Sequence, residues 1–172
     1  MSDGRLNSIL RVTYLELLEA PLSPTWRVGP EQISIEDLTR LAYLALYRRV
    51  GESLHWDQRL LMPKAELEAL LSGGSLKIFV VRDPCGDALG FCEFDHSAFP
   101  EIELKNFGLV PEARGRGLGP WLLSVALHDE WQSGPTRIWL HTDAWDHPAA
   151  VRVYEKAGFR VYAVREEAAG PL

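Results

Sequence analysis

Residues 110–121 read Val-Pro-Glu-Ala-Arg-Gly-Arg-Gly-Leu-Gly-Pro-Trp, and the fold is decided by what stands on either side of them. Before them runs EIELKNFGLV, a β-rich stretch; after them Leu118, Leu122, Val125 and Ala126 recur at helical spacing, which predicts a helix from about Gly117 to Trp131. The segment therefore joins a strand to a helix. Glycines at 115, 117 and 119 let successive backbone N–H groups turn toward one point, and the helix that follows adds the positive end of its dipole. Pro120 falls in the first helical turn, where its missing N–H would have been unpaired in any case. Such a turn is built to hold an anion, above all a phosphate.

Other phosphate-binding turns fail against these letters. A Walker loop requires Gly-Lys followed by Ser or Thr, which the segment lacks. A dinucleotide fingerprint starting at Gly115 requires a small residue where Pro120 stands and an acid about twenty positions on, where Trp139 is found. A purely structural strand-to-helix turn is the remaining alternative.

Working outward, Ile9 to Glu19 reads as a strand closed by Pro21 and Pro24. Ser34 and Asp37 resemble a capping box for a first helix that carries Leu38, Leu41, Ala42 and Ala45 to about Arg49 and ends at Gly51. A second helix is expected from Pro63 or Lys64 to Leu71, stopped by Gly73 and Gly74. LKIFVVR, ALGFCEFD and EIELKNFGLV, separated by the turns DPCGD and HSAFP, predict an antiparallel meander. RIWLHT follows the Gly-rich turn's helix as a strand. His147 to Ala157 is expected as a helix with Ala150, Val153, Tyr154 and Ala157 on one face and Gly158 as its stop. FRVYAVRE is a last strand before a short AAGPL tail. No repeat or linker interrupts this order, so residues 1–172 read as one mixed α/β domain.

Composition narrows the function classes. The 172 residues are 47% hydrophobic and 24% charged, as in ordinary globular chains. The most apolar run, LAYLALY, is bracketed by Arg40 and Arg48, too short for a bilayer-spanning helix. The opening MSDGRLNSILRV has no apolar core followed by a cleavage site, so a cytoplasmic location is the expectation. A net charge of -6 opposes attraction to a nucleic-acid backbone. Cys85 and Cys92 read as free thiols, and no His or Cys spacing implies a metal.

At this point the sequence resembles a known family. ValProGluAlaArgGlyArgGlyLeuGly is similar to motif A of the GNAT acyltransferases, (Q/R)-x-x-G-x-(G/A), with Arg114, Gly117 and Gly119 on the defining positions. Downstream, HisProAlaAlaValArgValTyrGluLysAlaGlyPhe resembles that family's late helix, N-x-x-A-x-x-x-Y-x-x-x-G-F, through Ala150, Tyr154, Gly158 and Phe159, with His147 where asparagine is usual. The resemblance covers roughly Leu76 to Val164. It implies a mixed, mostly antiparallel sheet flanked by helices on both faces, and transfer of an acetyl group from acetyl-coenzyme A to a primary amine of a small molecule or peptide by direct attack on the thioester. Acetyl-coenzyme A is then a cosubstrate, and no metal is called for.

The resemblance also implies roles. The amides of Arg114, Gly115, Arg116, Gly117, Leu118 and Gly119 would hold the pyrophosphate, backbone at Leu109 and Val110 would pair with the pantetheine arm, and His147 stands at a coenzyme contact. That arrangement requires EIELKNFGLV to splay from RIWLHT, with Gly108 as a bulge whose neighbouring N–H would polarise the thioester. An amine of pKa near 10.4 is protonated at neutral pH, a handicap of about 4.6 kcal/mol, so a general base is useful. Family members often carry a glutamate eleven positions ahead of the motif's first residue, and Glu103 stands there. It is expected to face the thioester with Phe107 nearby; its other reading is a solvated charge like Glu101 and Lys105. Tyr154 falls where the family presents a tyrosine to the coenzyme sulfur, and it would serve as proton donor unless it merely fills the apolar stripe. His141 and His147 are secondary acid or base candidates. For the acceptor, Tyr47, Trp56, Arg59 and Trp145 are candidate lining residues along with Phe107. The alternatives are a catalytically silent acyl-coenzyme A sensor or scaffold, and a partner-binding domain with a structural glycine turn. A homodimer is left open.

Overall fold

β-Branched and aromatic residues in ILRVTYLEL make strand β1, Ile9–Leu17, whose Val12, Leu15 and Leu17 are buried. The computed structural model describes residues 9–24 and 29–168, so the N-terminal segment read for a leader and the end of the AAGPL tail lie outside the described residues. β2 (Gln32–Ile35), α1 (Arg40–Gly51), a 3₁₀ turn (Glu52–Leu54), α2 (Gln58–Leu61) and α3 (Lys64–Ser72) follow. Then come β3 (Leu76–Arg82), β4 (Ala88–Asp95), β5 (Glu101–Leu109), a 3₁₀ turn (Pro111–Ala113), α4 (Leu118–Trp131), β6 (Arg137–Thr142), α5 (Ala150–Lys156) and β7 (Arg160–Ala168).

The strands form one sheet in the order β2-β3-β4-β5-β6-β1-β7, antiparallel at every pairing except β5 with β6. That single parallel pairing follows from α4, which carries the chain from the end of β5 back to the start of β6. α1 packs on one face, where Tyr43 and Tyr47 meet Phe91. α4 covers the other face with fully buried Leu118, Leu122, Leu123 and Leu127, each contributing roughly 1.5–3 kcal/mol.

The structure departs from the local sequence signals in two places. Ser34 belongs to β2 and bonds Glu36, so it caps nothing. The cap of α1 is Thr39, whose Oγ1 accepts from the Ala42 amide at 3.3 Å. The late helix is also shorter than expected, because Asp143 to Ala149 form turns before Ala150. Among the described residues, no helix is long and apolar enough to cross a membrane.

Candidate active site

The glycine turn is shaped by its backbone angles. Gly115 and Gly117 have φ of +74° and +76°, and a Cβ at either would meet nothing within 4 Å. Glycine is therefore needed there for conformation, and the space in front of the amides is open. The Arg114 side chain turns away from that space: Nε donates to Leu109 O and Nη2 to Val50 O, both at 3.2 Å. It ties the turn to the ends of β5 and α1, and its amide is spent on Pro111 O at 3.2 Å, so the anion site expected to begin at Arg114 begins at Gly115. The Arg116 side chain is likewise engaged, at 2.6 Å from Glu31, and the Leu118 side chain is in the core.

β5 and β6 separate as the chain leaves their start. They pair only over Glu101–Glu103 against Arg137–Trp139. Beyond Glu103 the β6 side of β5 is open, and a cavity of about 560 Å³ occupies the gap, lined by Phe107, Leu109, the glycine turn, His147 and Tyr154. Val110 departs from expectation, since its N–H donates to Leu89 O at 2.9 Å and its carbonyl accepts from Ala113 at 3.0 Å. Its backbone has no group to spare. The Leu109 amide, one residue earlier on an antiparallel strand, points the opposite way, into the gap.

Gly108 is not a bulge. It pairs in register with Phe91, and glycine is required because a Cβ would lie 2.6 Å from Val50 Cγ1. The bulge is at Lys105, left over between the pairs Glu93–Asn106 and Phe94–Leu104. This extra residue reverses the alternation, so Glu103 and Phe107 no longer share a face. Phe107 instead stacks obliquely on Tyr154, 5.9 Å between ring centroids.

A second cavity, of about 180 Å³, lies beside the first and is lined by Tyr47, Trp56, Asp57, Lys105, His141, Asp143 and Trp145 among others. Leu54, Trp56, Phe107, Asp146 and Tyr154 line both cavities and so mark where they meet. Trp56 is fixed there by its Nε1, 3.2 Å from Asp146 Oδ1, while Asp146 Oδ2 accepts from Thr142 Oγ1 at 2.5 Å. Close packing does the rest: a Cβ on Gly51 would fall 2.3 Å from Trp56 Cβ. Tyr154 is buried among Phe107 and Phe159, and burial followed by the nearby Asp146 carboxylate raises its phenol pKa, so it stays protonated at neutral pH. Burial likewise pushes the Asp143 carboxyl up.

The candidates named from the sequence are not all brought together. Tyr47, Trp56, Phe107 and Trp145 line the smaller cavity. Arg59 lines neither; it is 11% exposed and donates from Nη2 to Glu93 Oε1 at 2.6 Å. Glu103 also lines neither cavity and is 15% exposed, with Lys105 Nζ at 3.1 Å and His141 Nε2 at 3.8 Å. His141, half-exposed, does line the smaller cavity. Glu93 was missed altogether. It is fully buried on β4 and takes donors from Tyr43 of α1, Arg59 of α2 and Asn106 of β5. A lone acid inside the apolar run GFCEFD was the available signal, because a buried charge demands partners.

A model of the acetyltransferase (GNAT) family matches residues 35–159. The mycothiol acetyltransferase of Streptomyces griseus is 44% identical over 89 residues, which are 51% of this chain and 29% of that protein. Among solved structures, a GCN5-related N-acetyltransferase from Sphaerobacter thermophilus superposes with a TM-score of 0.65 at 20% identity, over 92% of this chain and 50% of that one. A tandem GNAT protein from the clavulanic acid biosynthesis pathway gives 0.67 at 18% identity, over 98% and 57%. The chain thus spans under a third of the curated relative and about half of these structures, whose likeness is one of fold.

Proposed function

The chain belongs to the GNAT acetyltransferase family, and on that premise we propose that it is an acetyl-coenzyme A dependent N-acetyltransferase acting on a primary amine. The observation that carries this reading is the meeting of two cavities. One runs along the open side of β5 to the glycine turn, and the other is a smaller polar and aromatic pocket; they join at Trp56, Phe107, Asp146 and Tyr154. The chemistry of the first suits coenzyme A: amides of residues 115–119 and the start of α4 for the pyrophosphate, and the Leu109 N–H for the arm, with room for a phosphate in front of Gly115 and Gly117. Coenzyme A would supply an activated acetyl thioester there.

The chain's own residues then manage protons. An ammonium entering the smaller cavity must lose one proton to a base before its nitrogen attacks the thioester carbon. When the C–S bond breaks, the nitrogen's second proton has to end on the sulfur. The Tyr154 hydroxyl, kept neutral by burial, serves as donor to the sulfur and regains a proton from the nitrogen. The amine leaves as an amide, the coenzyme as a free thiol, and one proton remains on the base. Trp56, Trp145 and Asp57 give the pocket aromatic walls and negative charge, which suits a cationic amine with an apolar body.

A screen of amines and amino-terminal peptides with acetyl-coenzyme A, reading released thiol, tests this function. Thiol release that depends on an amine is the expected result. Coenzyme A raising the melting temperature while no amine releases thiol would favour a silent coenzyme-binding module.

A further inference from the structure

Glu103 stands back from both cavities, its carboxylate against Lys105 at 3.1 Å. Between it and the smaller cavity is His141, whose Nε2 lies 3.8 Å from Glu103 Oε1. We propose that His141 takes the amine proton and that Glu103 is the positioning residue behind it, orienting the imidazole. This rests on the amine-acetylating reading of the site. The arrangement follows from the bulge at Lys105, which turns Glu103 onto the face shared with β6, where its register partner is Trp139.

Two of the three carboxylates around the cavity are already engaged, and the third, Asp57, precedes α2 and gives the cavity its negative charge. Asp146 is held by Trp56 and Thr142, and Asp143 accepts the Trp145 amide at 2.8 Å. His55 has its ring against Trp145. His141 is faced by Glu103 and, through it, Lys105 of β5. Tyr14 of β1 packs 5.8 Å from its ring, Trp139 of its own strand 6.5 Å, and Asp143 follows the strand's end. Arg165 of β7 sits over the far ring, Tyr14, at 4.8 Å. An imidazole suits the task better than a carboxylate, because its ordinary pKa near 6.5 is about two units closer to that of an amine. In the balanced step the ammonium N–H bond breaks, the proton moves to the imidazole's free nitrogen, and the freed lone pair forms the new C–N bond. Solvent then removes the proton from the imidazolium.

Two measurements test the proposal. In NMR spectra of the intact protein, the His141 ring resonances are identified by their loss in His141→Gln. Glu103→Gln should shift them at fixed pH, since the carboxylate 3.8 Å from Nε2 is removed. Ring resonances that stay in place overturn the pairing. With acetyl-coenzyme A and an amine acetylated in the screen, His141→Gln should lower kcat at pH 7 by about 10² to 10⁴. Its KM for acetyl-coenzyme A should stay within about twofold, because His141 is outside the coenzyme cavity. Glu103→Gln should cost less, and in kcat rather than in the KM for acetyl-coenzyme A. Undiminished kcat in His141→Gln, or a loss in Glu103→Gln larger than that in His141→Gln, overturns the assignment to His141. If no amine is acetylated, the functional reading falls while the ring resonances still decide the pairing.

Discussion

Arg59 Nη2 lies 2.6 Å from Glu93 Oε1, and this pair joins the segment that carries Trp56 and Asp57 to β4. Asn106, next to the β5 bulge, donates to the same Glu93 oxygen at 3.2 Å, and Tyr43 donates to the other. Burial and the negative charge hold Tyr43 protonated, and Arg59 remains a guanidinium.

Glu93→Ala leaves Arg59 charged in a nearly dry site, so it should cost about 3–5 kcal/mol. At about 2–4 °C per kcal/mol for a domain of this size, the melting temperature should fall by roughly 6–20 °C. Replacing both residues, as Glu93→Leu with Arg59→Leu, should cost less than Glu93→Ala alone. Thermal melts of the three proteins check this, and a double variant worse than the single would contradict it.

Gly117→Asp places a Cβ on a residue with φ of +76° and a negative charge at the anion nest. Since no atom is near enough to clash, the folding cost should be only about 1–2 kcal/mol from the backbone angle. Coenzyme A at a hundred times its Kd should stabilise the unaltered chain by about 2.7 kcal/mol and the variant hardly at all. Equal shifts in melting temperature would put the phosphate elsewhere.

Tyr154→Phe keeps the ring contacts to Phe107 and Phe159, and its melting temperature should barely change. Turnover should fall about 10- to 10³-fold, because a thiolate with a pKa near 8.5 leaves tolerably well unprotonated. An acyl thioester with a more acidic leaving thiol should restore the variant more than the parent. Matching responses in steady-state rates would make Tyr154 a packing residue.

Glu130, fully buried on α4, has its pKa raised to about 7 by burial, against the opposing charge of Lys77 at 3.6 Å. Its folded-state value lies above the unfolded value of 4.5. The folded protein therefore holds a proton that the unfolded chain releases, and stability is lost as pH rises from about 4.5 to about 7. His96, at 2.9 Å, has its pKa lowered by burial and then by Lys77, so its contribution is lost as pH falls below 6.5. Glu130→Gln removes only the first effect. From pH 5 to pH 8 the variant should gain on the parent by on the order of 2–3 kcal/mol in urea unfolding; a difference independent of pH would contradict the shift.

Much of the fold was legible because its signals are local. The glycines at 115 and 117 and the apolar stripe of α4 lie within a few residues of what they specify. The errors are at places where distant contacts decide. Ser34 and Thr39 are both competent caps, and β2's pairing with β3 removes the first from contention. Gly108 reads as a bulge from the strand alone, but its lack of a side chain answers Val50 on α1. The bulge itself falls on Lys105, a residue with no special backbone preference, and so escaped notice. It is also what separates Glu103 from Phe107, so the one catalytic geometry inferred by counting along the strand was the one the strand did not keep.

β1 lies between β6 and β7, paired from Thr13–Leu17 to residues 138–142 and from Ile9–Glu16 to residues 160–168. Neither neighbour of this strand is close to it in sequence, since both follow α4. Two pairings of such high contact order close slowly, and until they close both edges of β1 are open to other chains.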